Sequence, residues 1–219
     1  MIVWLNGTFG AGKTTTAAEL ARLLGARTFD TEFVGYLLRT AFPEHEGDFQ
    51  HLPLWRPLVV ENTARVHEHA GPLVIPQTVL VEAYAREIFD GLAGRGVPVA
   101  HFVVHAGPAE LRRRIEESAD TLARQWRLDH VDRYAEALPW LRRSGTLVPT
   151  EGKTPTEVAR DIAGRVRSRL EADPAVTENR TTAIPPPIPD AISGYQETGS
   201  RSSANRASAA KESNRADWS

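Results

Sequence analysis

Apolar positions along residues 1–171 switch repeatedly between two spacings. Short unbroken apolar runs, IVWLN at 2–6, PLVIPQT at 72–78 and VAHFVVHA at 99–106, read as buried strands, and RTFD at 27–30 and TLVPT at 146–150 add two shorter ones. Between them apolar residues recur at helical spacing. KTTTAAELARLLG (13–25) stops at Gly25, EFVGYLLRTAF (32–42) stops before Pro43, and LWRPLVVENTARVHEHA (54–70) carries Pro57, tolerable only in a first turn. EAYAREIFDGLAGRG (82–96) and a segment opening at Pro108, PAELRRRIEES, follow. TPTEVARDIAGRVRSRL (154–170) starts with a capping box: Thr154 at the N-cap, Pro155 behind it and Glu157 at the third position. Alternation of strands and helices predicts an α/β fold, a parallel sheet covered on both faces.

The pattern ends near residue 172. Beyond it come AIPPPIPDAISG and ETGSRSSANRASAAKESNRADWS, rich in Pro, Ser, Ala, Asn and Arg and almost free of large apolar side chains. Such a stretch cannot bury enough surface to offset its ordering entropy. The expected organisation is one domain over 1–171 and a disordered tail over 172–219.

Composition narrows the classes. The 219 residues carry a net charge of −2 and no cysteine. A disulfide framework and thiolate chemistry are excluded, and no overall basic field draws the chain to nucleic acid. No apolar run approaches the roughly 20 residues of a membrane span, and the first strand follows no basic leader. The expectation is a cytoplasmic protein whose partner is a small molecule.

Residues 7–14, GTFGAGKT, fill the pattern G-x-x-x-x-G-K-[ST] between a strand and a helix. Its glycines, with the extra Gly10, let backbone N–H groups point inward around phosphate oxygens. Lys13 supplies a point charge for the outer phosphates and Thr14 a hydroxyl for Mg2+. Gly7, Thr8, Phe9, Gly10, Ala11, Gly12, Lys13, Thr14 and Thr15 are the expected nucleotide-binding residues, with ATP and Mg2+ as the expected cofactors.

A phosphate loop alone does not say where the phosphate goes. Asp30 ends the second strand, and ligands of open α/β sheets gather outside the carboxyl ends of the strands. It can take a proton from an acceptor hydroxyl or support Mg2+, with Glu32 beside it; equally it can cap the next helix. Many phosphate-loop ATPases end the third strand with an acid, whereas here stand Pro76 and Gln77. Gln77 and Thr78 offer neutral hydrogen-bonding groups or ordinary strand-end solvation. Arg112, Arg113 and Arg114, then Arg124, Arg127 and Arg133, lie where small phosphotransferases carry arginines over the transferring phosphate. Arg114 and Arg124 are taken as nucleotide contacts; a solvated helix face is the competing reading. Trp126 is expected to pack. GDFQHLPLWRP (47–57) sets Phe49, Gln50, Trp55 and Arg56 in the region that faces an acceptor. His67 and His69, and His101 and His105, lack a third partner for a metal site.

Taken in order, WLNGTFGAGKTTTA, FDTEFVGYLLR, DFQHLPLWR, LVIPQTVL, HFVVHA with LRRRI, and VDR resemble the ATP-binding tunicamycin-resistance protein family over about residues 1–165. That resemblance implies a three-layer phosphate-loop kinase fold with strand order 2-3-1-4-5. It implies Lys13 and Asp30 as catalytic residues, Thr14 and Asp30 at the metal, and Arg39, Gln50, Arg56 and Gln77 toward the acceptor, where Glu32 is also placed by its position beside Asp30. The implied activity is ATP-dependent phosphorylation of a hydroxyl on a small molecule such as a tunicamycin-like antibiotic. ATP-dependent sequestration of the drug without transfer, and a nucleotide or nucleoside kinase, are the alternatives.

Overall fold

A computed structural model describes residues 1–119, 121 and 123–172. The expected tail at 173–219 lies outside the described residues. The chain divides into two units, Met1–Val166 and Arg167–Ser219.

Its elements run β1 (Ile2–Asn6), α1 (Lys13–Leu24), β2 (Arg27–Thr28), α2 (Glu32–Ala41), a 3-10 turn (Phe49–His51), α3 (Trp55–Ala70), β3 (Leu73–Pro76), α4 (Glu82–Ala93), β4 (Val99–His105), α5 (Pro108–Glu116), α6 (Arg124–Ser144), β5 (Thr146–Pro149) and α7 (Pro155–Ala172). The strands form one parallel sheet in the order β2-β3-β1-β4-β5. All five residues of β1 are buried, because the strand is central and covered on both faces. Its register, Val3 beside Val74 and Leu5 beside Phe102, stacks the apolar runs read from the sequence into one core.

The topology places the site. Between β3 and β4, the order reverses around β1, and the loop after β1 opens at that switch point. β2 is two residues long, shorter than RTFD suggests, yet Phe29 N–H still donates to Val74 O at 3.0 Å. The chain therefore leaves the sheet just before Asp30, at the same rim as the loop.

Local stop and start signals act as expected. Gly25 ends α1 at φ 62°, its N–H bonded to Ala21 O. At α7, Glu157 N–H reaches Thr154 Oγ1 at 3.3 Å while Glu157 Oε2 accepts from Thr154 N–H at 2.8 Å, completing the capping box.

α6 is the element the periodicity hid. Its inward face is Arg127, His130, Val131, Tyr134, Ala137, Trp140 and Leu141, with helical spacing but polar or aromatic identity at most of these positions, and Pro139 sits in its interior. Proline removes the bond to the carbonyl one turn back. Tertiary bonds hold the helix past that gap: Trp140 Nε1 donates to Leu80 O at 3.0 Å, and Ser144 Oγ meets His101 Nδ1 at 3.2 Å.

His101 is thus a core residue of β4. It is 6% exposed, stacked on Trp140 and tilted against Phe89. Burial pushes its pKa down to about 4. Its neutral form is the folded one, so stability is complete above the unfolded value near 6.5 and drains away as pH falls toward 4. Urea unfolding at pH 7.5 and 5.5 is expected to show a loss of about 1 kcal/mol that the His101→Phe variant does not share. An identical loss in the variant would place the sensitivity elsewhere.

Candidate functional site: a phosphate loop facing two carboxylates

The loop begins at Asn6, fully buried at the end of β1. Its Oδ1 accepts from Gly7 N–H at 2.8 Å and Val79 N–H at 3.0 Å, and its Nδ2 donates to Val79 O at 2.9 Å. Thr78 Oγ1 donates to Gly7 O at 2.8 Å. One amide and one hydroxyl thus lock the loop entrance to the segment after β3. Gly7 has φ 136°, and a Cβ there would lie 2.5 Å from Val104 O. Only glycine lets the loop pass so close to β4.

The outside of the loop is gripped by α5 and α6. Arg114 Nη1 donates to Gly10 O at 3.2 Å and to Thr150 Oγ1 at 3.1 Å, and its Nε to Glu110 at 2.7 Å. Thr8 Oγ1 donates to His130 O at 3.2 Å. Phe9 packs on Trp126 with ring centroids 5.0 Å apart and edge-on to His130 at 5.5 Å. Trp126 therefore packs, and it packs on the loop itself. Ala11 is fully buried.

Inside the loop, Lys13 Nζ donates to Thr8 O at 2.9 Å. Burial lowers its pKa to about 8, opposed by Glu32 and then Asp30, whose charges act on the ammonium. The two carboxylates after β2 therefore lie near enough for their charges to act on the loop lysine. Thr14 is exposed, and among the described residues its hydroxyl makes no hydrogen bond; Thr15 Oγ1 instead turns back to Gly12 O at 3.0 Å. The first turn of α1 carries no acidic residue. A free hydroxyl, an ammonium and a helix N-terminus form a donor set that fits a triphosphate with its Mg2+.

The acceptor-side residues fall into two groups. Asp30 and Glu32 sit at the crevice: Asp30 Oδ1 accepts from Glu32 N–H at 3.0 Å, the local turn that starts α2, and Glu32 Oε2 accepts from Tyr36 OH at 3.1 Å. Asp30 thus acts as the cap at the start of α2 through Oδ1. Gln50, Gln77 and Arg56 belong to the frame behind it. Gln77 is 2% exposed, with Oε1 accepting from Thr31 Oγ1 at 2.7 Å. Gln50 Nε2 donates to Thr78 O at 2.8 Å. Arg56 Nη1 donates to Gln50 O at 2.8 Å and its Nε to Glu87 at 2.6 Å, while its guanidinium lies 4.2 Å over the Tyr84 ring. Arg39 donates to Gly47 O at 2.6 Å, and burial lowers its pKa against the pull of Asp48.

Of the arginine run, Arg112 pairs with Asp132 and Arg113 with Glu110 and Glu117; only Arg114 of the three bonds to the loop. Arg124 opens α6, half-buried, and Arg127 is buried three residues on. A cavity of about 500 Å3 lies beyond Arg114, lined by Gly107, Pro108, Glu110, Arg113, Glu151 and Gly152 at the ends of β4 and β5. Asn6, Thr31, Asp48, His130 and Glu151 escaped the sequence reading. Only their places at strand ends or helix starts could have signalled them. Among the described residues, no cluster of three His, Cys, Asp or Glu forms a metal centre, and no helix is long and apolar enough to cross a membrane.

A five-stranded parallel sheet of order 2-3-1-4-5 with a phosphate loop at its switch point defines the class of small phosphate-loop kinase-like proteins. An AAA domain family model matches residues 3–138. The tunicamycin resistance protein of Deinococcus radiodurans is similar at 30% identity, with 76% of this chain and 95% of that one covered and a TM-score of 0.63. A gluconokinase from Sinorhizobium meliloti 1021 shares the fold at 15% identity, 78% and 95% coverage and a TM-score of 0.56. Shikimate kinase from Aquifex aeolicus does so at 16% identity, 79% and 100% coverage and a TM-score of 0.56. No curated protein matches the sequence. The chain belongs to the AAA-domain group of phosphate-loop proteins and, within it, to the tunicamycin-resistance family.

Proposed function

We propose that the protein is an ATP-dependent kinase that phosphorylates a hydroxyl of a small molecule, a tunicamycin-like antibiotic being the first candidate. The observation that supports this reading is the placement of the phosphate loop and the segment carrying Asp30 and Glu32 at one rim of the sheet, where both carboxylate charges act on Lys13. The inward N–H groups of the loop and the Lys13 ammonium hold the phosphates and stabilise charge as the phosphoryl group moves. Asp30 accepts the proton of the acceptor hydroxyl, and Glu32 orients it. Mg2+, held by the Thr14 hydroxyl with Asp30 in support, neutralises phosphate charge when bound. The cavity beyond Arg114 suits the base and ribose.

The condition of the arginines favours a hydroxyl acceptor over a nucleotide. A nucleoside monophosphate kinase needs cations free to read the acceptor phosphate. Arg56 is spent on Glu87 and the Gln50 carbonyl, and the acid groups Asp30, Glu32 and Asp48 line the acceptor side. Incubation with Mg2+-ATP and a panel of sugars, nucleosides and tunicamycin, read by ADP release and mass spectrometry, tests the proposal. The expected result is one acceptor heavier by a single phosphate. A drug that binds with unchanged mass would identify a sequestering protein, and ADP release that no acceptor accelerates would reject the kinase.

A further inference from the structure

Many phosphate-loop ATPases carry an acid at the end of the third strand; here the position is Gln77, and both ends of its amide are used inside the protein. Oε1 accepts from Thr31 Oγ1 at 2.7 Å, and Nε2 donates to Thr78 O at 3.2 Å, the carbonyl that also takes Gln50 Nε2. Thr31 is fully buried and stands at the N-cap of α2, between Asp30 and Glu32. A threonine at that position ordinarily turns its oxygen onto its own helix. Thr31 makes no such bond, and Asp30 Oδ1 takes the first free N–H instead. Its hydroxyl is committed to β3.

The line continues. Thr78 Oγ1 donates to Gly7 O, so a hydrogen-bonded path runs from the residue between the two carboxylates to the first glycine of the loop. We propose that Thr31 and Gln77 are a positioning pair whose hydrogen bond sets Asp30 and Glu32 against Lys13, and that this duty requires an amide where related loops carry an acid. A carboxylate at position 77 has no proton to give Thr78 O and would add a buried negative charge near the half-buried Asp30 and Glu32. An apolar side chain would leave the Thr31 hydroxyl buried without a partner. The inference deepens the proposed site but rests only on the loop holding ATP, not on transfer.

Distance between the carboxylates and the phosphates can be read without catalysis, metal or titration. ATP is bound in EDTA at low salt and followed by calorimetry. With Asp30 and Glu32 held at the crevice, neutralising both (Asp30→Asn with Glu32→Gln) removes repulsion of the triphosphate and is expected to tighten binding by roughly fivefold or more. In a Thr31→Val background, and separately in Gln77→Leu, the same neutralisation should gain less than about twofold, because the charges have moved off. Thr31→Ser, which keeps the hydroxyl, should restore the full gain, and Thr31→Val combined with Gln77→Leu should do no more than either alone.

A merely structural pair would lower the melting temperature and leave the neutralisation gain intact in every background; that result overturns the proposal, as does the absence of any gain with Thr31 and Gln77 both present. Failure of Gln77→Leu to fold leaves Thr31→Val, nearly the same shape as threonine, to decide. If no acceptor is ever phosphorylated, the kinase reading falls while this result stands. With an acceptor in hand, the pair's variants should lose kcat at least tenfold with acceptor KM unchanged; a raised KM alone would make Gln77 an acceptor contact.

Discussion

Asparagine in place of Asp30 is expected to cut phosphoryl transfer by about 10^2 to 10^4, the usual share of a positioned general base, while affinity for Mg2+-ATP at ordinary salt, where metal and ions screen the lost charge, changes little. The substitution keeps Oδ1, so the bond to Glu32 N–H that starts α2 survives. What disappears is the oxygen proposed to take the acceptor proton and the negative charge that acts on Lys13. Steady-state kinetics with the acceptor identified by the screen, alongside ATP titration of the same preparation, checks both halves. Transfer at the unsubstituted rate would remove Asp30 from the mechanism. A collapse of ATP binding together with transfer would instead make Asp30 part of the nucleotide grip.

Gly7→Ala should be the most damaging single change in the loop. The added methyl meets Val104 O at 2.5 Å, a backbone atom of the interior strand β4 that cannot swing aside, and the position has φ 136°. Overpacking against backbone costs about 1–3 kcal/mol, and the strained conformation adds about 1–3 more. For a chain of this size each kcal/mol lowers the melting temperature by roughly 2–4 °C. The expected outcome is a melting point lower by roughly 5–20 °C and loss of measurable ATP binding. Calorimetric melting and nucleotide titration report the two effects. Gly25→Ala, also at positive φ but with open space around it, is the control: strain without a clash, and binding retained.

The fold was legible because its signals are local. Strand runs, helical spacing, Gly25 and the Thr154–Glu157 box each act within a few residues, and the structure places them within a few positions of the expected bounds. The parallel sheet follows from alternation alone. α6 was not legible, because its inner face is built from Arg127, His130, Tyr134 and Trp140, whose burial depends on partners far along the chain. Arg114 was selected from a run of three look-alikes, and its contacts with Gly10 O and Thr150 separate it from Arg112 and Arg113.

By itself, the sequence determined the phosphate loop, the strand-end position of Asp30 and the class of chemistry they allow. Glycine conformations, helix N-termini and side-chain charge are properties of short stretches of chain, so spacing is enough to fix them. The tertiary structure alone decided which polar residues look into the crevice and which hold it together. Gln77, Gln50 and Arg56 have the chemistry of ligand contacts, and they bond to Thr31, Thr78, Glu87 and backbone carbonyls. A buried donor or acceptor must find a partner, and which partner it finds depends on segments tens of residues apart meeting at the rim of the sheet.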